Sequence, residues 1–270
     1  MASLTTGTFK RPANMDNNDD PAVLYVRSYL LIRTVVGFLG ILLPVALIIG
    51  EAFFLKGGVH VRGSLSAYYH SPMQDIFVGS LCVTGFLLIT YMAGEPRAWD
   101  FWLSLLAGLA VLMVVFFPTW RPDVPAGAPL CGSSPQPPGC SAVEQALGEA
   151  TTARIHAVSA AVFILCLAAI SFLFAYREKK YNHDQRMMRF HIICGAVILV
   201  AVAWVLIGGA LKVDIGQLTP LYLGEIISVW AFGASWLAKG KDLRRILRRR
   251  PRQSEPGKAE PRHAAAVPGP

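Results

Sequence analysis

Residues Ile155–Tyr176 have the sequence IHAVSAAVFILCLAAISFLFAY, which contains no Asp, Glu, Lys or Arg. A helix needs about 20 mostly apolar residues to cross the hydrocarbon core of a membrane. This stretch therefore predicts a transmembrane helix. Five other stretches have the same character: Leu30–Gly50, Ile76–Gly94, Phe101–Phe117, Phe190–Leu211 and Leu221–Ala238. Together they predict an all-α fold, a polytopic membrane bundle of six transmembrane helices.

The composition supports a membrane protein. Apolar residues make up 54% of the 270 residues and charged residues only 16%, against about 25% in an average globular protein. These values exclude a disordered chain, a coiled coil and an ordinary water-soluble enzyme. Buried helices of a large soluble core are the alternative, but no amphipathic polar faces accompany the stretches. The first stretch is expected to be retained, because no small-residue cleavage site follows it.

The basic residues predict the orientation of the bundle. With six spans, 20 of the 25 Lys and Arg residues fall on the side of the two termini. Cytoplasmic loops carry this excess in membrane proteins, so both termini are expected in the cytoplasm. The expected location is the cell membrane, most readily the inner membrane of a bacterium.

Three regions follow from this topology. Residues 1–28 are expected to form a largely disordered cytoplasmic arm, 29–239 the transmembrane domain with an extracytoplasmic loop at 118–153, and 240–270 a basic, then disordered, tail. The net charge of +8 is concentrated in that tail. Its predicted partners are membrane lipids with anionic headgroups. Nucleic acid is not expected, because the tail lacks interleaved aromatic residues and a recognisable module. No protein partner can be named.

Cys131 and Cys140 both lie in the predicted extracytoplasmic loop. An oxidising compartment favours a disulfide between them. A zinc pair is the weaker alternative, because no second Cys pair or nearby His completes four ligands.

Polar residues crowd at the predicted outer face. Ser71, Pro72 and Gln74 form a helix-capping pattern before the second span, and Thr219 with Pro220 forms one before the sixth. Pro118 is expected to end the third span.

The ligand-binding candidates are Tyr69, His70, His156, Asp214 and Glu225. Ser64, Tyr68 and Lys212 are expected nearby.

Glu225 lies inside a span, where an ionisable side chain is expensive and is a functional candidate by default. The other candidates also have plain structural interpretations: Asp75 as a helix-dipole partner, the tyrosines as an interfacial belt, and His156 as a hydrogen-bonded histidine. No nucleotide-binding loop, dinucleotide fingerprint, HExxH or GxSxG motif occurs. The primary prediction is therefore a membrane protein without an assigned reaction, with a polar pocket that binds a lipid headgroup, a small ligand or a partner.

Several motifs resemble a family of bacterial six-span proteins that carry a domain of unknown function. They are SLSAYYHSPMQDIFVG at 64–79, Phe116-Phe-Pro-Thr, Ile155-His156 and EIISVWAFGASWLAKG at 225–240. This family is in turn distantly similar to the FRAG/DRAM-type six-span proteins. The resemblance covers about Leu30–Lys241 and implies the six-helix fold, but no chemistry.

A second resemblance suggests an alternative function. Ser66-x3-His70 is similar to an element of the alkaline ceramidases and adipoQ receptors, which hold zinc with three His near a Ser and an Asp. The last span has no His-x3-His pair, which departs from that pattern. The candidate metal ligands here are His70, His156 and Glu225. The alternative is a zinc-dependent hydrolase of lipid amides or esters, with Ser66, Asp75 and Glu225 as catalytic candidates.

Overall fold

The computed structural model describes residues 21–55, 61–91, 98–122, 124–125, 127–213 and 218–249. Within these ranges all of the regular secondary structure is helical. Its seven α-helices are α1 (Pro21–Phe54), α2 (Gln74–Thr90), α3 (Trp99–Phe116), α4 (Ala142–Leu147), α5 (Glu149–Arg177), α6 (Gln185–Ala210) and α7 (Pro220–Arg249). A 3-10 helix covers Ser66–His70, and a π-helical turn, Glu178–Asn182, follows α5.

Five helices of the described chain are long enough and apolar enough to cross a membrane: α1, α3, α5, α6 and α7. The sixth predicted span corresponds to α2, which has only 17 residues. At 1.5 Å per residue it is about 25 Å long, less than the roughly 30 Å hydrocarbon core. A crossing by α2, and with it the cytoplasmic location of both termini, stays a prediction.

The six longer helices form a closed ring. Each packs against its neighbours in the order α1, α2, α3, α5, α6 and α7, and α7 returns to α1. α5 also contacts α7 across the ring. We call the end that carries residues 118–148 the disulfide end, and the end that carries 178–184 the hairpin end.

Local signals explain most of the helix boundaries. α3 ends at Phe116, two residues before Pro118, as predicted. At α7 the Thr219 hydroxyl accepts the Tyr222 N–H at 3.0 Å, which confirms the predicted cap. The prediction for α2 was less accurate. Its helix begins at Gln74 rather than Pro72, because Ser66–His70 forms a separate 3-10 turn and the Ser71 hydroxyl accepts only the Met73 N–H, at 3.0 Å.

Residues 1–20 and 250–270, which contain much of the predicted arm and tail, lie outside the described residues. α1 begins at Pro21, nine residues before the predicted span. α7 continues to Arg249, so the first part of the basic stretch is helical.

The loop at the disulfide end is fastened by covalent and polar contacts. Cys131 and Cys140 form a disulfide, as predicted. The Arg121 guanidinium pairs with Glu149 at 3.0 Å, and the same carboxylate accepts the Cys131 N–H at 3.1 Å. Ser141 and Glu144 form a capping box at the start of α4. The loop is thereby held against the first turn of α5.

Candidate binding site in the helix bundle

The segment before α2 folds back onto the start of α7. The Glu225 Oε2 atom accepts the Leu65 N–H at 2.6 Å, and its Oε1 atom lies 3.4 Å from the Ser66 hydroxyl. The Thr219 hydroxyl donates to the Gly63 carbonyl. Gly63 has a φ of 72°, a left-handed conformation that suits glycine. The residues at 63–66 therefore contact α7 through Glu225 and the residue before α7 through Thr219.

A cavity of about 80 Å³ lies inside the ring next to this attachment. Its walls come from α1, α2, α3, α5 and α7, with Val36, Val111 and Phe163 among the apolar residues that line it. The polar side chains on the wall are Glu225 and Ser66 at one end and Thr84 further along α2. The cavity is therefore mostly apolar with a carboxylate at its disulfide end.

Glu225 has a well-defined environment. Protein surrounds it on all sides, yet part of its surface is accessible because the side chain faces the cavity. Both of its carboxylate oxygens accept hydrogen bonds, Oε2 from the Leu65 N–H and Oε1 from the Ser66 hydroxyl. The ion pairs among the described residues do not include it. Among the described residues its polar contacts are therefore hydrogen bonds rather than an ion pair.

A second polar group packs beside this end of the cavity. Arg62 pairs with Glu51, which is fully buried at the end of α1. Tyr68 and Tyr222 are also buried, and they pack in one cluster with the cavity-lining residues Leu43, Leu65 and Phe77. We call Glu51, Arg62, Tyr68 and Tyr222 the tyrosine cluster.

Within the tyrosine cluster the hydroxyls of Tyr68 and Tyr222 interact with each other. Among the described residues, Glu51 Oε2 has no hydrogen-bond partner. Burial raises the pKa of Tyr68 above its ordinary value, and the neighbouring Tyr222 and Glu51 act in the same direction. Tyr68 therefore stays protonated and keeps its hydroxyl hydrogen.

The two predicted histidines have a different role. The His156 Nδ1 atom lies 2.7 Å from the Phe117 carbonyl and 3.1 Å from that of Val114, and His70 Nε2 lies 2.9 Å from the Thr119 carbonyl. The last carbonyls of a helix have no partner within it. As donors, the histidines satisfy the carbonyls at and just after the end of α3.

No three His, Cys, Asp or Glu side chains of the described chain gather closely enough to hold a metal ion. His70 and His156 bond to the α3 end, whereas Glu225 bonds to Leu65 and faces the cavity. The predicted zinc ligands thus have separate partners.

The remaining candidates are dispersed. Ser66 and Glu225 meet at the cavity, but Asp75 is exposed in the first turn of α2 and does not line it. Tyr69 packs edge-on against the His70 ring, with 5.2 Å between ring centres, and burial raises its pKa. Asp214 lies outside the described residues.

The sequence-based reasoning missed Glu51 and Arg62. Glu51 follows directly after the apolar run Leu30–Gly50. An acidic residue at the end of such a run could have identified Glu51 as a candidate, because a buried carboxylate there requires a partner. The partner could not be identified from spacing, since Arg62 lies in the segment between α1 and α2.

Buried charges also stabilise the hairpin end. Arg33 lies against the rings of Tyr91, Phe174 and Trp236, with its guanidinium carbon 4.8–5.8 Å from the ring centres. Asp100 on α3 pairs with Arg177 on α5 at 2.7 Å. Glu178, just after α5, pairs with Lys239 on α7. Each of these two pairs connects different elements of the ring.

The helices and their apolar outer surfaces define an α-helical, membrane-embedded protein. Residues 38–243 match the family model described as Protein of unknown function (DUF998), and since this is more than half of the chain, the chain belongs to that family. No curated protein and no solved structure matches the chain. These comparisons provide no support for the resemblance to FRAG/DRAM-type proteins or to the alkaline ceramidases and adipoQ receptors.

Proposed function

We propose that this protein binds a small amphiphile, a polar head that carries a short hydrocarbon group, in the cavity of the helix ring. The observation that carries the proposal is Glu225, a carboxylate placed at one end of an otherwise apolar cavity. The apolar walls suit a hydrocarbon group of a few carbon atoms, and the carboxylate and the Ser66 hydroxyl suit a polar head. With the predicted orientation, the head lies near the extracytoplasmic face of a bacterial inner membrane.

The hydrogen-bonding groups of the site restrict the head group. Glu225 presents carboxylate oxygens to the cavity, and these accept hydrogen bonds. A head that donates a hydrogen bond is therefore favoured over a head that can only accept one.

Photolabelling tests the proposal. The probe is a short-chain monoacylglycerol with a diazirine within the first few carbon atoms of its chain. It is added to the detergent-purified full chain, and labelled peptides are identified by mass spectrometry. The expected labels fall on α3 and α5, at residues such as Val111 and Phe163. Labels confined to the outward-facing residues of α6 would contradict the proposal.

A pair of substitutions provides the control. Ala160→Leu adds three carbon atoms to the cavity wall and should reduce the cavity labelling at least several-fold. Ala196→Leu makes the same change on the exposed face of α6 and should leave it unchanged. Equal labelling in both variants would show that the probe does not occupy the cavity.

A further inference from the structure

A groove lies on the outside of the ring, between α6 and α7. Its volume of about 460 Å³ is within the range of ligand sites on proteins. On α6 it runs from Ile193 to Trp204, and on α7 it includes Leu223 and Ile227. All of its lining side chains are apolar, and none of them lines the internal cavity. The groove is therefore a separate candidate site, on the outer surface of the bundle.

Arg186 and Arg189 continue the groove toward the hairpin end of α6. Residues three or four positions apart share a face of a helix, so both arginines lie on the face of Ile193, which Ala196 and Val200 continue. Both arginines are exposed. The ion pairs among the described residues do not include them. Within the described chain their two charges are therefore available at the hairpin end of the groove.

The acidic side chains at this end have other partners. The Asp184 Oδ1 atom caps α6 and accepts the Arg186 and Met187 N–H groups at 2.9 and 3.1 Å. Asp100 and Glu178 form ion pairs with basic residues of α5 and α7. None of these three carboxylates forms an ion pair with the two arginines of the groove face.

The length of the groove fits an acyl chain. Ile193 lies one helical turn, about 6 Å, beyond Arg189. From Ile193 the groove continues to Trp204, about 16 Å farther along the helix axis. The chains of one leaflet occupy half of a hydrocarbon core of about 30 Å, which is about 15 Å. A lipid whose phosphate contacts the two arginines can therefore place one acyl chain along the groove.

The same charges disfavour a second copy of this chain in the groove. A two-fold axis along the membrane normal brings the same surface of both subunits together at the same depth. Arg186 and Arg189 would then face their counterparts, and like charges repel each other. A phosphate group instead neutralises them, and Arg is well suited to bind phosphate oxygens.

We infer that the groove between α6 and α7 binds an anionic phospholipid, with one acyl chain along residues 193–204 and the phosphate at Arg186 and Arg189. This site is separate from the basic tail. It does not depend on the proposed function, because no residue of the groove lines the cavity. With the predicted orientation the lipid lies in the cytoplasmic leaflet, whose anionic lipids attract basic segments.

The test uses two phospholipid photoprobes with the same diazirine-labelled acyl chains and different heads, anionic phosphatidylglycerol and zwitterionic phosphatidylcholine. Each is added to the full chain in a neutral detergent, and labelled residues are identified by mass spectrometry. We expect phosphatidylglycerol to label residues 193–204 at a half-saturating concentration at least about fivefold lower than phosphatidylcholine. Added salt should reduce the difference. Equal labelling of this segment by both probes would overturn the inference.

Removal of the charges locates the head group. Arg186→Gln combined with Arg189→Gln should weaken phosphatidylglycerol labelling of residues 193–204 at least about fivefold and barely change phosphatidylcholine labelling. Lys179→Gln combined with Lys180→Gln removes the same charge from two exposed residues at the same end that precede α6, and should have a much smaller effect. An equal loss in the two double variants would indicate a general attraction to the basic end and contradict the site.

A second pair of variants locates the acyl chain. Ala196→Leu adds three carbon atoms to the wall of the groove and should weaken phosphatidylglycerol labelling of residues 193–204 several-fold. Ala203→Leu makes the same change at an exposed residue of α6 that does not line the groove, and should have little effect. Equal labelling in these two variants would show that the chain does not lie in the groove.

A second copy in the groove would give a different result. Val200→Cys places a thiol at an exposed position of the groove, and a short bis-maleimide would then join two chains of this variant but not of the unaltered protein. Such cross-linking, together with no phosphatidylglycerol labelling of residues 193–204, would overturn the inference. Loss of the proposed cavity function would leave it intact, because Ala160→Leu changes the cavity and not the groove.

Discussion

Glu225 Oε2 lies 2.6 Å from the backbone nitrogen of Leu65, a residue 160 positions earlier in the chain. This contact joins α7 to the segment that precedes α2. The same carboxylate lines the cavity. The Glu225 side chain therefore both connects α7 to the segment before α2 and provides the polar end of the candidate site.

Substitutions of Glu225 should lower the stability of the protein by amounts that depend on whether the contact with Leu65 is kept. Glu225→Ala leaves the Leu65 N–H without its acceptor and should lower the free energy of unfolding by about 1.5–3 kcal/mol. Glu225→Gln keeps an acceptor oxygen and should lose less. Thermal unfolding of both variants in detergent checks this order. Equal stability of the alanine variant and the unaltered protein would contradict the structural role.

His156 should stabilise the end of α3. His156→Ala removes the donor to the buried Val114 carbonyl and to the partly buried Phe117 carbonyl, at an expected cost of about 1–3 kcal/mol. His156→Asn retains an N–H donor and should recover part of the loss. The metal content of the same preparations tests the zinc alternative. About one zinc per chain that disappears with His156→Ala would contradict the role assigned here.

The close contact between α1 and α7 should be sensitive to a single methyl group. A Cβ atom added at Gly233 would lie 2.9 Å from the Gly37 carbonyl oxygen and from a carbon of the Ile41 side chain. Small residues allow such close approach of membrane helices. We expect Gly233→Ala to lower the melting temperature in detergent.

Gly79→Ala is the matched control, because a Cβ there would meet no atom within 4 Å. It should be neutral or stabilise by up to about 1 kcal/mol through helix propensity. Equal melting temperatures for the two variants would contradict the close approach of α1 and α7 at Gly233.

The topology prediction depends on α2. Cysteines introduced at Gln136 and Asn182, both exposed and on either side of α5, should react with a membrane-impermeant maleimide from opposite faces. If α2 crosses, tags at both termini lie on the face of Asn182. If α2 does not cross, the amino-terminal tag changes to the face of Gln136. That result would exclude six spans while leaving the five long helices intact.

Local sequence patterns account for much of the fold. The apolar run Ile155–Tyr176 lies within α5, Pro118 follows the end of α3, and Thr219 caps α7. The Cys131–Cys140 disulfide also agrees with its prediction. Each of these depends on residues close together in the chain, so hydropathy, helix capping and spacing were sufficient.

The contacts of the candidate site could not be predicted in this way, because they join distant parts of the chain. Sequence indicated that Glu225 needed an explanation, since a carboxylate inside an apolar span is costly. Only the order of helices around the ring decided that it meets Leu65 and Ser66 rather than His70 and His156. The same order decided that the histidines serve the carbonyls of α3 and that Glu51 and Arg62 join two buried tyrosines. Hydropathy determines which segments can enter a membrane, whereas packing among them determines which polar groups meet.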